Sequence, residues 1–470
     1  MTRVLKPLLS AAAVLALAAL AVPLGAEPPK LPAPKPLSFT PPQGERIRLP
    51  NGLDIRLLRD STLPVVRACA LVRTGSLHDP PGKTGLARLA AASMRAGGTK
   101  KTGADELNER LEFSGSGIEI AMTSEYAEIS MFALAPYAAE TLALFAEIIQ
   151  APAFEPEKVE TERGVLLETL RRRNNNPKTL ALREAQRAYF GPDSPYGRRE
   201  EPDTINAVSA ADLKAFHERY FRPDGTAIAV AGDFDPAEMA ALLSLLFSGW
   251  GGKAVPPPEA PAPSSSGTRH VFYIKKPVAN APVVVVQAGP QRNSPDQYAW
   301  QVLNQILGGY GMSSRLFEEV RTKRGLAYSV FGETLEFERG GALLVYAGTK
   351  NKTVPETIKA VLAQLDMIGR AGVSDEELAR AKNNLVSSCI FQFASPIAAL
   401  RERIRLAYFG YPPDYPEKYA ASIGAVTKTG VLDAAQRLNP ESAKILVVGD
   451  ENLFSAPLTE FGAVTELKEN

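Results

Sequence analysis

The sequence predicts an α+β fold built twice: two homologous domains, each an antiparallel sheet packed with helices. Two observations predict it. Short runs with period-two apolar alternation are interleaved with runs of helical spacing, so each part mixes hairpins and helices. Segments near the start, middle and end of one half recur in order in the other, separated by a linker rich in Pro, Ala and Ser.

The first half is read from residue 44. Ile47 and Leu49, then Leu53, Ile55 and Leu57, alternate around Asn51-Gly52, a hairpin signal. Residues 65–73 continue as a more buried strand. Residues 85–96 are Ala-rich and end at Gly97-Gly98, a helix followed by its stop signal. Residues 104–113 have helical spacing through Leu107 and Leu111. A Ser-Gly-Ser-Gly turn follows, then two strands, 118–123 and 126–134. Residues 138–149 form an amphipathic helix with Leu142, Phe145, Ile148 and Ile149 on one face. Residues 156–173 form a longer, highly charged helix, read as a solvated face of i,i+4 pairs.

Residues 251–267 (GGKAVPPPEAPAPSSSG) cannot anchor a core and mark the boundary. The domains are therefore placed at 44–250 and 268–470. Ile205-Asn206-Ala207-Val208 and the strand Ala227 to Ala231 with Gly232-Asp233 close the first. Ile423-Gly424-Ala425-Val426 and Ile445 to Val448 with Gly449-Asp450 close the second. Upstream, Pro156-Glu157-Lys158-Val159 is echoed by Ser374 to Leu378. A repeat this long indicates duplicated domains rather than a solenoid.

Arg3 and Lys6 precede an apolar run, 8–22, broken only by Ser10 and ended by Pro23. With Ala19-Leu20-Ala21, or cleavage after Ala26, residues 1–26 read as a secretory signal. The protein is then exported, to the periplasm or the extracellular space; the alternative is an uncleaved anchor. No later apolar run is long enough to span a membrane. Residues 27–43 read as a Pro-rich tether. With 53 basic against 52 acidic side chains, net charge +1, a nucleic-acid partner is not expected. Cys69 and Cys389 form no C-x-x-C pair and are read as two buried free thiols.

Residues 85–101, GLARLAAASMRAGGTKK, carry the functional signal. Their flanks resemble those of the insulinase/pitrilysin family of zinc metallopeptidases, where Gly-Leu-Ala opens into H-x-x-E-H and Gly-Thr closes the helix. Here the motif positions hold Arg88, Leu89, Ala90, Ala91 and Ala92, so both ligand histidines and the base glutamate are missing. The resemblance puts the third ligand at Thr169, within Glu162-Arg163-Gly164-Val165-Leu166-Leu167-Glu168-Thr169. Glu162 matches the acid that in the family stands behind the zinc ligands rather than on the metal. Glu168 lies one residue early, a turn of about 100° away on a helix. The remaining histidines, His78, His217 and His270, make no ligand spacing and are read as packing or solvated rings. No metal is therefore expected on this chain, and no cofactor. The resemblance implies two homologous domains forming a clam-like cavity.

The second half resembles the family's C-terminal signature over residues 307–330, LGGYGMSSRLFEEVRTKRGLAYSV. Gly308, Gly309 and Gly311 are read as a flexible loop, Ser313-Ser314 as the cap of a helix over 315–323, and Gly325 as its end. No Lys-Ser/Thr follows the glycines as in a P-loop, and no G-x-S-x-G occurs. The resemblance implies that Arg321 and Tyr328 reach a substrate beside a zinc ion. The alternative is that Tyr328 packs and Arg321 pairs with Glu318 or Glu319. In some bacterial members the motif and the Arg/Tyr pair lie on separate chains. The expectation is a non-catalytic subunit that binds unfolded peptide and complements a homologous H-x-x-E-H-bearing subunit holding the zinc. The second expectation is a peptide-binding or scaffold protein with no role in proteolysis.

Overall fold

The computed structural model describes residues 40–256, 267–309 and 311–469. The predicted signal, most of the tether (27–39) and most of the linker (257–266) lie outside them. Among the described residues there are two six-stranded sheets, ordered β1-β2-β6-β3-β5-β4 and β12-β7-β11-β8-β10-β9. The first comprises β1 (Glu45–Arg48), β2 (Asp54–Arg59), β3 (Val65–Val72), β4 (Gly117–Met122), β5 (Ala127–Leu134) and β6 (Thr226–Gly232). The second comprises β7 (His270–Lys275), β8 (Ala281–Ala288), β9 (Ala327–Glu336), β10 (Gly341–Thr349), β11 (Lys444–Gly449) and β12 (Ala463–Glu466). The strand orders superpose, β2-β6-β3-β5-β4 on β7-β11-β8-β10-β9, as duplication requires.

The sheets are mixed rather than purely antiparallel. β6 lies parallel to β2, and β11 parallel to β7. Each returns through a long helical crossover, which permits a parallel insertion, whereas the tight β1–β2 hairpin stays antiparallel. The sixth strands differ. β1 joins β2 antiparallel, while β12 comes from the C-terminus and joins β7 in parallel.

The first half adds α1 (Leu86–Ala96), α2 (Ala104–Phe113), α3 (Ala138–Gln150), α4 (Pro156–Arg172), α5 (Pro177–Phe190), α6 (Pro202–Asn206), α7 (Ala210–Tyr220) and α8 (Pro236–Phe247). The second adds α9 (Gln297–Leu307), α10 (Val354–Ala371), α11 (Asp375–Cys389), α12 (Pro396–Tyr408), α13 (Tyr415–Ala425) and α14 (Lys428–Ala435). One face of each sheet packs on its own helices. The other face is covered by a helix from the opposite half. Leu180, Ala181 and Ala185 of α5 lie in one core with Val284, Val286, Leu446 and Val448 of the second sheet. Leu400 and Ile404 of α12 lie in one core with Cys69, Leu71, Ala229 and Ala231 of the first. Each half therefore completes the other's core.

The last described residues before β1 are pinned. Arg403, on α12, donates to the carbonyls of Pro41 and Pro42, at 2.8 Å for Pro41, so the predicted tether reaches the second half at its C-terminal end. Among the described residues no helix is long and apolar enough to cross a membrane. Cys69 and Cys389 are free thiols; Cys69 is buried in β3, but Cys389, at the exposed end of α11, is only half-buried.

Candidate functional site

The loop before α1 is built around Asp79. Its carboxylate accepts from the N–H groups of Gly85 (2.7 Å) and Ala87 (2.8 Å), the first donors of the helix. Burial nevertheless pushes its carboxyl up to about 7. α1 then presents the motif positions toward α4. Arg88 is exposed and pairs with Glu200 at 2.8 Å; Ala91 is buried and Ala92 half-buried. On α4, Thr169 is exposed and donates to its own helix at the Val165 carbonyl. Glu168 pairs with Arg171 and Arg172, on the solvent side. Glu162 is half-buried, and desolvation raises its carboxyl.

The histidines lie apart from these positions. His78 is buried against Tyr220, ring centroids 4.4 Å apart, and its Nδ1 accepts from the Gly75 N–H. His217, on α7, donates from Nε2 to the Ile149 carbonyl at 2.8 Å. His270 lies at the start of β7, 2.8 Å from the Thr465 hydroxyl. Among the described residues no group of three or more His, Cys, Asp or Glu side chains is placed to hold a metal ion.

The second half brings its two candidates together. Ser314 caps the helix: its hydroxyl accepts from the Phe317 N–H and its carbonyl from the Glu318 N–H. The segment Phe317–Lys323 is π-helical rather than α-helical. The wide turn is closed where the Leu326 N–H reaches the Val320 carbonyl at 2.8 Å. Insertions of this kind gather at functional sites because they re-aim side chains. Gly325, at φ +61, then releases the chain into β9. Arg321, inside the π segment, lies over the rings of Phe317 (4.7 Å) and Tyr328 (5.2 Å).

Tyr328 is 81% exposed, so it is not a packing residue. Glu318 and Glu319 are engaged by Lys323, and Glu319 also by Arg324, leaving Arg321 without an ion pair among the described residues. The result is a guanidinium and a phenol, fixed against each other and open to solvent. Such a pair can donate hydrogen bonds to the carbonyls of an incoming chain. Phe317, the other ring under Arg321, was missed in the sequence, although it lies one helical turn before Arg321.

Of the nearby glycines, Gly308 and Gly309 are buried, and the Gly308 carbonyl accepts from the Gly332 N–H at 2.6 Å. A Cβ on Gly308 would lie 2.5 Å from that nitrogen, so close approach is what requires glycine there. Gly311, at φ +142, is exposed.

The family's sequence models match both halves. Residues 56–193 match the model described as insulinase (peptidase family M16), and residues 207–385 the one described as the peptidase M16 inactive domain. The chain belongs to the insulinase family. Its relatives include an uncharacterized zinc protease of Streptomyces coelicolor, 28% identical over 86% of this chain and 89% of that one. Another, of Rickettsia bellii, is 27% identical over 86% and 97%. Among solved structures, a peptidase M16 inactive domain from Pseudomonas fluorescens superposes with TM-score 0.78, at 24% identity, over 87% of this chain and 98% of that one. A protease from Helicobacter pylori gives TM-score 0.78 at 21% identity, over 87% and 100%.

Measured against an insulinase-family zinc site, the donor set on α1 and α4 does not fit. A guanidinium only donates, an alanine side chain has no lone pair to offer, and the exposed Thr169 hydroxyl is a neutral oxygen outside the usual Cys, His and carboxylate zinc ligands. Zinc would need about three ligands converging at roughly 2 Å, and these positions supply none.

Proposed function

We propose that this chain is the non-catalytic, substrate-binding subunit of an exported heteromeric zinc peptidase. Its partner is a homologous chain that carries H-x-x-E-H and supplies the zinc. The observation that carries this reading is the contrast between the halves. The motif face holds Arg88, Ala91, Ala92 and Thr169, whereas Arg321 and Tyr328 stay stacked and exposed. An exposed tyrosine beside an arginine with no ion pair adds little to its own fold beyond one cation–π contact, which favours a role toward another molecule.

In the assembled enzyme the Tyr328 O–H donates to the scissile carbonyl oxygen as it gains negative charge. Stabilisation that grows with developing charge lowers the barrier rather than only the binding constant. Arg321, held by the two rings, donates to neighbouring peptide carbonyls and fixes the register. Both contacts need free backbone carbonyls, so the substrate is an unfolded or extended peptide. The N-terminal segment, 1–26, directs the chain to the periplasm or beyond.

The test is co-expression with an H-x-x-E-H homologue from the same genome, followed by cleavage of a quenched unstructured peptide. The pair should co-purify and show chelator-sensitive cleavage. Arg321→Ala and Tyr328→Phe should each lower kcat by about 10²-fold or more while the complex stays intact. Unchanged turnover in both variants, or chelator-sensitive hydrolysis by this chain alone, overturns the proposal. Peptide binding without any hydrolysing partner selects the scaffold alternative.

A further inference from the structure

The second half contains a polar cavity of about 380 Å³ between α9, α11, α12, α13 and the end of β9. Its place in the duplicated fold is notable. α9 follows β8 as α1 follows β3, and α9 packs on α11 as α1 packs on α4. Gln301, Asn304 and Gln305 of α9 face the cavity at i, i+3, i+4, the spacing of Arg88, Ala91 and Ala92 on α1. The cavity is the second half's counterpart of the motif face.

Its charges pair off with one left over. Arg292 is bonded to Glu125, with a 3.0 Å contact, and Arg405 to both oxygens of Glu402, at 2.7 and 2.8 Å. Glu336 is the remainder: a half-buried carboxylate with no hydrogen bond or ion pair to its side chain among the described residues. Burial raises its carboxyl, against the opposing pull of the Arg292 and Arg405 guanidiniums, each of which is bonded to another carboxylate. The Asn304 Oδ1 position is also buried without a partner. With Oδ1 at that position, the unsatisfied groups are acceptors.

The wall is aromatic. Tyr411 and Tyr415 have ring centroids 4.6 Å apart, and Tyr415 and Tyr419 6.0 Å. The Tyr419 hydroxyl donates to Gln301 Oε1 at 2.9 Å, which fixes that ring. Tyrosine faces carry negative charge density and attract cations, and a carboxylate beside them adds the counter-ion.

We propose that this cavity binds the ammonium or guanidinium end of an alkyl chain, with Glu336 as counter-ion, Asn304 as acceptor and the tyrosines around the stem. The chemistry suits a free polyamine and a basic peptide side chain equally, and the experiment separates them. The mature chain is titrated calorimetrically with spermidine, and separately with a short unstructured lysine peptide and its fully Nε-acetylated form. Saturable binding of spermidine or of the unmodified peptide is expected, with the acetylated peptide at least tenfold weaker than its parent. Spermidine alone binding identifies a free amine; the lysine peptide binding identifies a side chain. Glu336→Gln, nearly isosteric, should weaken either at least tenfold without lowering the melting temperature.

Tyr411, whose hydroxyl makes no hydrogen bond among the described residues, provides a second variant, Tyr411→Leu, expected to weaken binding several-fold. Absence of binding by both spermidine and the unmodified peptide, or equal affinity in folded Glu336→Gln and Tyr411→Leu, overturns the proposal. The assay uses this chain alone, so its failure leaves the role of Arg321 and Tyr328 untouched, and their failure leaves this site untouched.

Discussion

At the scale of single residues, the two buried histidines carry a pH dependence. His217 donates its Nε2–H to the Ile149 carbonyl and stacks on Phe221, centroids 4.9 Å apart, so a second proton would charge a buried ring. Burial lowers it to about 4, opposed first by the Ile149 carbonyl and then by Glu218, and helped by Arg222 and Lys100. Burial lowers His78 to about 4 as well, with Arg219 adding to it. The unfolded chain takes up these protons near the ordinary 6.5, before the folded chain does. Stability from the neutral rings is therefore full above about 6.5 and is lost as pH falls toward 4. At about 1.4 kcal/mol per tenfold change in proton affinity, each ring forfeits roughly 3 kcal/mol once protonated. Urea midpoints at pH 7 and pH 4.5 read this. His217→Gln keeps a donor for Ile149 and should flatten the acid limb; an unchanged slope would assign that limb to His78 or to carboxylates. Much at this scale was legible: Arg321 and Tyr328 stand seven apart in a recognisable run. Their exposure and the leftover carboxylate of Glu336 were not, because both depend on which distant residues pair with one another.

Elements were more legible than the contacts between them. Residues 104–113 form the helix their spacing predicts, and Gly97 ends α1 as a terminating glycine should. The π-helical turn at Phe317–Lys323 was not readable as such. Periodicity marks which face is apolar and not whether a turn closes at i+4 or i+5, whereas its glycine end was readable: Gly325 and Leu326 cap it by donating to Arg321 and Val320. At α1 the start matters most. Gly85 sits at φ +104 and gives its N–H to Asp79. A Cβ there would fall 2.1 Å from Ile205 Cδ1 and 3.3 Å from Glu200 Cγ. Gly85→Ala thus combines a left-handed backbone with an overlap in the core. Together these should cost about 3 kcal/mol, measured by chemical denaturation. Loss below about 1 kcal/mol would mean that α6, which carries Ile205, gives way freely.

For the whole molecule, duplication was legible from the recurring segments, but the exchange of α5 and α12 between the halves was not. Helical periodicity shows that a face is apolar without showing which sheet receives it. The exchange makes the halves interdependent, and a polar contact stitches the same interface. Arg292 of the second half and Glu125 of the first are paired with side chains 12% and 11% exposed. The guanidinium also lies 3.7 Å from the centroid of the Phe409 ring and donates to the Glu336 carbonyl. Desolvating two charges offsets much of their attraction, so the pair as a unit contributes little; removing one partner strands the other. Arg292→Met should therefore cost about 3–5 kcal/mol, whereas Arg292→Met with Glu125→Leu should cost clearly less than the two single changes added together. A double-mutant cycle by urea denaturation reads the coupling. Strict additivity would mean that water already reaches the pair, and that the halves are held by the exchanged helices and the apolar contacts around them, Tyr196 on Phe337 among these.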